Sequence, residues 1–444
     1  MRASLASPRL RRIITAYTVN RLGSWIGLVA LSLAVFNHTH SALAVAALLF
    51  AWQALPAFLV PVLVARVEAS ARQRELSGLY FFEALATAAL AVLIWHFSLP
   101  AMLVLAALDG TAALAASALL RAEVARVARA EVTASAEGAS DSGEETLEER
   151  AQAAERAANA ALNMGFSIAF VGGPVVGGLV VAAAGAPAAL FIDVGSFLIC
   201  GALLIDLHPH VDEAAGDSVR ARLGAAWAHV NAVPALRRLL IAETVALIFI
   251  QCAGPIEVAF AKATLHAGES GYGLLVTSWG AGAVIASVIF ARSAHRPLGW
   301  MLSIGVFALG ACFIGISAAP SLPIACGCSL VGGIGNGLEW PSLISLVQSL
   351  TPQPLHGRLM GAVESLAALT LAIGLPLGGA LVSLSSTRTA FLIVGIGAAT
   401  ATAAFVRLTI AGFEPATQDS VDTSATGSPL AETGVTLPGG PLVD

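Results

Sequence analysis

The feature that most constrains this chain is a succession of long apolar stretches that fills almost its whole length. A helix needs about 20 apolar residues to cross a bilayer core of about 30 Å. Twelve stretches meet that need, over residues 13–36, 42–65, 76–97, 100–120, 159–184, 187–206, 237–261, 271–291, 298–318, 322–348, 359–384 and 389–411. The sequence therefore predicts an all-α integral membrane protein with twelve transmembrane helices.

The composition agrees with a surface that faces lipid. Of the 444 residues, 57% are hydrophobic and only 11% are charged. Soluble domains carry about 25% charged residues, so a water-soluble fold of this size is excluded. There is no basic patch with interleaved aromatic residues, which argues against nucleic-acid binding.

The basic residues test the number of helices independently, because cytoplasmic loops collect Lys and Arg. If the N-terminus is cytoplasmic and the helices alternate, only Lys262 and Arg388 fall in outer loops, and Arg21 lies within the first helix. A wrong count would scatter the charges over both sides. The pattern favours twelve helices with both termini in the cytoplasm.

An internal repeat divides the chain into two halves. Residues 156–178 and 358–379 share Arg, Gly and Pro at an offset of 202 and then a Gly-Gly pair. Parallel repeats of six helices are typical of one class of secondary transporter. We predict a six-helix N-terminal half over 1–206 and a six-helix C-terminal half over 236–411. Chance similarity between Gly- and Ala-rich helices is the alternative.

Three segments lie outside these helices. An acidic cytoplasmic insertion at 131–158 is expected to be disordered in its first half and helical in its second. A central cytoplasmic loop spans 207–235. The tail at 412–444 is rich in Thr, Pro, Gly and Ser and is expected to be disordered in the cytoplasm.

A glycine-rich motif in the fifth predicted helix carries a family resemblance. Gly173, Pro174, Gly177 and Gly178 form a GPxxGG sequence that resembles the fifth-helix signature of the proton-coupled drug exporters in the major facilitator superfamily. Its glycines permit close helix approach, and its proline bends the helix. Residues 20–25 and 350–361 are similar to the macrolide-efflux and siderophore-exporter branch. The resemblance covers residues 10–411 and implies the major facilitator fold.

The loop between the second and third predicted helices departs from that family. The family pattern is G-x-L-A-D-R followed by a basic cluster, and the acidic residue helps to latch the cytoplasmic side. Here Ala65 precedes Arg66, so the acidic position is lost. We interpret this segment as a degenerate cytoplasmic gate, which questions the usual gating and proton coupling.

Ionisable residues inside the predicted helices are candidate functional residues, because each costs at least about 2.5–3.5 kcal/mol to insert. They are Arg21, Glu83, Asp109, Asp193, Glu243, Glu257, Glu339 and Glu364. The resemblance implies that the first, fourth, seventh and tenth helices line a central cavity. On those helices Asp109, Glu339 and Glu257 are candidates for proton coupling or cation binding. The candidates for contact with the substrate are Arg21, Trp25, Gln251, Asn336 and Trp340.

Structural roles are the alternatives for these charges. Asp109 could pair with Arg21 across the N-terminal half. For Glu83, Asp193, Glu243 and Glu364 a structural role is favoured, since they lie nearer to the helix ends.

No nucleophile, metal-ligand or phosphate-loop motif is found, so we expect neither an enzyme nor a metal or other cofactor. The expected partners are a small-molecule substrate, protons and the lipid bilayer, and the chain is expected to be monomeric, in a bacterial plasma (inner) membrane. The sequence predicts a proton-coupled exporter of a small amphipathic molecule. An uncoupled facilitator or importer, and a non-transporting membrane sensor or partner with the same fold, are the alternatives.

Overall fold

The computed structural model describes residues 7–58, 75–136, 144–205, 219–293, 296–352 and 355–410, and every regular element among them is helical. The helices are α1 Pro8–Thr39, α2 Ala42–Leu49, α3 Glu75–Trp95, α4 Leu99–Ala136, α5 Glu144–Leu203, α6 Val219–Ala232, α7 Pro234–Gln251, α8 Ala253–Ala259, α9 Gly268–Arg292, α10 Leu298–Ala318, α11 Leu322–Ser349, α12 His356–Leu384 and α13 Thr387–Ile410. Two π-helical turns, Phe50–Ala54 and Phe260–Thr264, extend α2 and α8.

Local sequence sets several helix ends. The Ser7 hydroxyl accepts a hydrogen bond from the Leu10 amide at the start of α1, and Pro8 occupies the first turn, where a missing N–H costs nothing. His40 ends α1 in the left-handed region with a φ of 49°. Ser41 then caps α2 by accepting from the Ala44 amide at 3.3 Å. A tight turn therefore joins α1 to α2.

Eight of the described helical segments are long and apolar enough to cross a membrane, and two shorter ones, Ala42–Phe58 and Thr387–Ala401, are also apolar. This supports the predicted all-α membrane fold. The count of twelve spans and the side of the termini stay predictions. One reason for the difference between eight and twelve is that α5 is counted as one span, although the sequence predicts two helices there. Another is that α11, which contains the polar residues Asn336 and Glu339, is not among the eight.

The long helix α5 is two rods joined at Gly185. Gly185 has a φ of 83° and a ψ of 165°, which is not helical and which L side chains rarely adopt. Ala158 and Leu204, near the two ends of α5, share one core cluster, whereas Val181 and Ala186 lie in another. The chain therefore reverses at Gly185, between the predicted fifth and sixth helices.

The buried side chains form separate cores at the two ends of the helices. We call the side where α1 begins and α13 ends the terminal side, and the opposite side the far side. On the far side one cluster joins both halves, from Val35 and Ala106 to Phe260 and Phe391. On the terminal side each half has its own cluster. The two halves are thus packed together mainly on the far side.

The most extensive contacts between the halves are those of α5 with α9 and of α2 with α12. A methyl group added at Gly178 of α5 would lie 3.2 Å from the Gly273 Cα of α9. One added at Gly379 of α12 would lie 2.8 Å from the Leu43 Cα of α2. Both contacts bring backbones close together, as small residues allow in membrane proteins.

The two halves use matching contacts within themselves. Gly110 of α4 packs against the Trp52 carbonyl, and Gly333 of α11 packs against the Trp279 carbonyl of α9. Gly177 of α5 lies against Ile26 of α1. Its repeat partner, Gly378 of α12, lies against Cys252 at the end of α7. The predicted repeat is therefore accompanied by a repeated packing arrangement.

Part of the acidic insertion is ordered, contrary to the expectation for its first half. Residues 131–136 complete α4, and residues 144–158 form the start of α5. Arg129 pairs with Glu148 at 3.3 Å and with Glu155 at 2.7 Å, which ties the two extensions together. The segment predicted as a central loop contains α6. Residues 137–143 and the tail at 412–444 lie outside the described residues.

The contact between α5 and α9 gives a test of how the halves are joined. In Gly273→Ala the new methyl group would meet the Pro174 carbonyl oxygen and would lie 3.2 Å from the Gly178 Cα. Overpacking of this kind costs about 1–3 kcal/mol, so we expect a lower thermal unfolding temperature in detergent.

The matched control is Gly195→Ala, because an added methyl group at Gly195 meets nothing within 4 Å. Equal unfolding temperatures for the two variants would show that the close approach of α5 and α9 does not hold the halves together.

Candidate functional site

A cavity of about 400 Å³ lies along α1, α4 and the π turn that follows α2. Phe166 of α5 and Leu371 of α12 complete it, so it reaches the boundary between the halves. Its remaining lining residues are Tyr17, Arg21, Ser24, Trp25, Leu28, Trp52, Gln53, Pro56, Gly110, Ala113, Leu114, Ser117 and Arg121. This volume is in the range of small-molecule sites.

The cavity is lined by aromatic rings and by the guanidinium groups of two arginines. The Arg21 guanidinium lies 5.4 Å from the centre of the Tyr17 ring, and Arg121 donates to the Tyr17 hydroxyl at 3.4 Å. Trp25 packs on Phe170 with ring centres 4.6 Å apart, and Phe166 lies beside both. No acidic side chain is among the described residues that line the cavity.

A second, polar cavity of about 30 Å³ adjoins the first, sharing Arg21, Ser24 and Trp52 with it. Three buried carboxyl groups surround it, those of Glu83, Asp109 and Asp193. A polar space of this size can hold a water molecule, so protons could reach these groups. Arg21 therefore lies between the two cavities, with the buried carboxyl groups on one side and the aromatic cavity on the other.

Asp109 is held by two neutral donors. The Trp52 indole N–H donates to its Oδ2 at 2.9 Å, and the Thr87 hydroxyl donates to its Oδ1 at 3.2 Å. Among the ion pairs of the described residues none joins Arg21 to a carboxylate. The suggested pairing of Asp109 with Arg21 is therefore not formed in this structure.

The C-terminal half buries a pair of carboxyl groups instead. Glu243 of α7 and Glu339 of α11 face each other, and their side chains are 3% and 0% exposed. Asn336 donates to the Glu339 Oε2 at 3.4 Å. Two negative charges this close and away from water would repel each other strongly. Uptake of a proton by one of the two groups would remove that repulsion, and Glu243 Oε1, Glu243 Oε2 and Glu339 Oε1 are buried without a hydrogen-bond partner.

Comparisons with known proteins bear on what this architecture does. The family model described as Major Facilitator Superfamily matches residues 239–437. A curated relative, an uncharacterized MFS-type transporter YjbB of Bacillus subtilis (strain 168), is 28% identical over 142 residues, or 31% of this chain. The match spans about a third (35%) of that relative.

Solved transporters share the fold along most of the chain. The nucleoside transporter NupG superposes with a TM-score of 0.68 at 13% identity, covering 91% of this chain and 99% of its own. A bacterial metal transporter gives 0.64 at 16% identity, with the same coverage. A bacterial homolog of the lysosomal transporter Spinster, inward-facing and occupied, gives 0.62 at 12% identity over 90% of this chain and 96% of its own.

The C-terminal part of the chain is thus similar to the Major Facilitator Superfamily, and most of the chain shares its fold with solved transporters. The eight long apolar helices of the described chain agree with a multi-pass membrane protein. Among the described residues no group of three or more His, Cys, Asp or Glu side chains could hold a metal ion.

The structure places the predicted site residues in several separate regions. Arg21 and Trp25 line the large cavity, and Asp109 lies beside the small one. Glu257 is half-buried on α8, close enough to Tyr272 and Cys312 to interact with them electrostatically. Gln251 packs against Gly374 where α7 ends.

The remaining predicted residues lie away from the cavity or outside the described chain. Trp340 packs against the terminal-side core of the C-terminal half, and Asn336 contacts Glu339. The signature residues Gly173 and Gly177 lie on α1, while Pro174 and Gly178 lie against α9. The segment with Ala65 and Arg66 lies outside the described residues.

Sequence reasoning missed Arg121 as a cavity residue because it placed the end of the fourth helix at residue 120. In the structure α4 continues to Ala136. Gly110, Ala113, Ser117 and Arg121 follow one another at helical spacing on the face that lines the cavity. That spacing was available in the sequence, and extending the helix by one turn would have revealed it.

Trp52 gives a test of how Asp109 is held. In Trp52→Phe the indole N–H is lost while most of the ring is retained, so the buried Asp109 Oδ2 loses its donor. A lost partner for a buried polar atom costs about 1–3 kcal/mol, and we expect a lower thermal unfolding temperature.

The control is Trp300→Phe, since Trp300 is half exposed on α10. An unfolding temperature for Trp52→Phe that matches the control would argue that this hydrogen bond does not hold Asp109.

Proposed function

We propose that the chain is a secondary active transporter that exports a small amphipathic molecule by alternating access, driven by the proton gradient. The observation that carries this proposal is the aromatic cavity next to a smaller cavity surrounded by buried carboxyl groups. Arg21 lines both cavities. A change in protonation in the small cavity therefore acts on a side chain that touches the substrate space.

The packing of the halves supports alternating access. The halves share one core on the far side and have separate cores on the terminal side. A polar contact also joins them on the far side, where Asn37 of α1 donates to Glu269 of α9 at 3.3 Å. Glu269 also pairs with Lys262 at 2.5 Å. The contact between Asn37 and Glu269 must break for the cavity to open on the far side, whereas the pair of Lys262 and Glu269 lies within the C-terminal half.

The buried carboxyl groups supply two places for protons. In the N-terminal half Asp109 lies beside the small cavity and can exchange protons through a water molecule there. In the C-terminal half Glu243 and Glu339 can share a proton. Glu257 stays a third candidate. Charge in these sites is costly inside the membrane, so loading and unloading of protons favours different conformations.

We further propose that the protein works as a monomer in a bacterial plasma membrane, with no cofactor beyond the proton gradient. An uncoupled facilitator or importer differs from this proposal in its energetics and direction. Both can be measured on the purified protein in liposomes.

The decisive experiment separates coupling from binding. Protein in liposomes is given a pH gradient and a panel of lipophilic cations, macrolides, siderophores and aromatic acids, and transport of each compound is followed. For a transported compound, Asp109→Asn and Glu339→Gln are expected to lower gradient-driven transport on the order of tenfold. Exchange of labelled for unlabelled compound without a gradient is expected to persist, because the cavity is intact.

Glu243→Gln is expected to behave like Glu339→Gln, since the two groups share one site. The control is Glu364→Gln, whose side chain is exposed on α12. Full gradient-driven transport in all variants would refute proton coupling and favour a facilitator. Absence of both transport and exchange for the folded wild type across the panel would favour a non-transporting role.

A further inference from the structure

We infer that the cavity binds its substrate through an anionic group, such as a carboxylate, carried on an aromatic body. This inference rests on the proposed function and adds the chemical class of the substrate. It is drawn from the placement of two guanidinium groups, Arg21 and Arg121, among the rings of Tyr17, Trp25 and Phe166.

The positive charge of the cavity wall is the first reason to expect an anionic ligand. Arg21 and Arg121 are the charged residues among its described lining, and both are cationic. A guanidinium group stays protonated in proteins, so this wall keeps its positive charge. Arg21 is half-buried and Arg121 is exposed, so the charge of Arg21 is the one partly removed from water, and an anionic ligand reduces the cost of that removal.

Neither arginine forms an ion pair among the described residues, although Arg21 interacts electrostatically with the buried carboxyl groups of Glu83 and Asp193. The Arg21 Nε is buried without a hydrogen-bond partner. Glu83, Asp109 and Asp193 surround the neighbouring small cavity, and none forms an ion pair with Arg21. Arg121 makes its one described contact with the neutral Tyr17 hydroxyl. Donor groups on both guanidiniums thus stay available to a ligand.

Tyr17 fixes the two guanidinium groups relative to each other. Arg21 lies over its ring and Arg121 contacts its hydroxyl, so the two positive groups flank one side chain. A carboxylate can accept paired hydrogen bonds from a guanidinium, which gives both strength and orientation. A ligand anchored in this way would extend towards Trp25 and Phe166.

The aromatic rings and the volume define the rest of the ligand. Trp25, Phe166 and Phe170 form an aromatic cluster with stacked, tilted and edge-on pairs, whose faces and edges suit an aromatic ring system. A cavity of about 400 Å³ accommodates a molecule of two or three fused rings but leaves little room for a large macrocycle. The expected ligand is therefore a compact aromatic acid.

The test uses three probes of the same shape, 2-naphthoate, 2-naphthamide and 2-naphthylmethylammonium. Their binding to the full chain in nanodiscs of zwitterionic lipid is measured by isothermal titration calorimetry. We expect 2-naphthoate to bind about ten- to a hundredfold more tightly than the other two probes.

Substitutions at the arginines identify the site. Arg21→Gln and Arg121→Gln are each expected to weaken 2-naphthoate binding by about tenfold and to leave 2-naphthamide binding unchanged. Arg121→Lys should retain part of the affinity, since it keeps the charge. Arg129→Gln is the matched control, because Arg129 lies on the same helix and pairs with Glu148 and Glu155 instead.

Other outcomes overturn the inference. Equal binding of the three probes would exclude an anionic preference and leave the cavity as a transport site. No binding of 2-naphthoate to the folded wild type would exclude this class of ligand. If phosphatidylglycerol added to the nanodiscs displaces 2-naphthoate in an Arg121-dependent way, the anion held there is a lipid headgroup, which also overturns it. Loss of coupling in the transport assay bears on the proposed function alone.

Discussion

The close approach of α5 and α9 is the contact on which the joining of the two halves depends. Because Pro174 has no N–H, the carbonyl group of Phe170 loses its partner in the helix. At this level Gly273 and Gly280 bring α9 against the α5 backbone, and Thr277 donates to the Val171 carbonyl at 3.0 Å. Helices in lipid gain little from burying apolar surface against one another, so such short contacts decide which helices associate. The contact of α2 with α12 is a second close approach between the two halves, where Gly379 lies against the backbone of Leu43.

The same constraint shapes the site. Since the halves meet closely on the far side, the space between them is left towards the terminal side, where each half has its own core. The large cavity occupies that region along the N-terminal half. Gly110 also lets α4 approach Trp52, and this brings the indole N–H to Asp109. Helix packing therefore positions both the aromatic wall and the buried carboxyl group behind it.

The charges of the two halves are arranged differently although their helices repeat. The N-terminal half places three carboxyl groups and Arg21 around a small polar cavity, and its substrate-facing wall is cationic. The C-terminal half places Glu243 against Glu339, where Asn336 supplies one neighbouring donor. This asymmetry suits a carrier in which one half binds the substrate and both halves take part in proton exchange.

The amino-acid sequence by itself determined the fold class, because long apolar stretches leave a helical membrane protein as the stable solution. It also singled out Arg21 and Asp109 as candidates, since charged residues are rare within such stretches, and the structure places both residues at the cavities. It could not pair Glu243 with Glu339 or show Trp52 as the donor to Asp109, because these partners are 96 and 57 positions apart. It also ended the fourth helix too early to include Arg121. Only the tertiary structure decided these contacts, since the direction in which a helical side chain points depends on how its helix is rotated against its neighbours, and glycine contacts set that rotation.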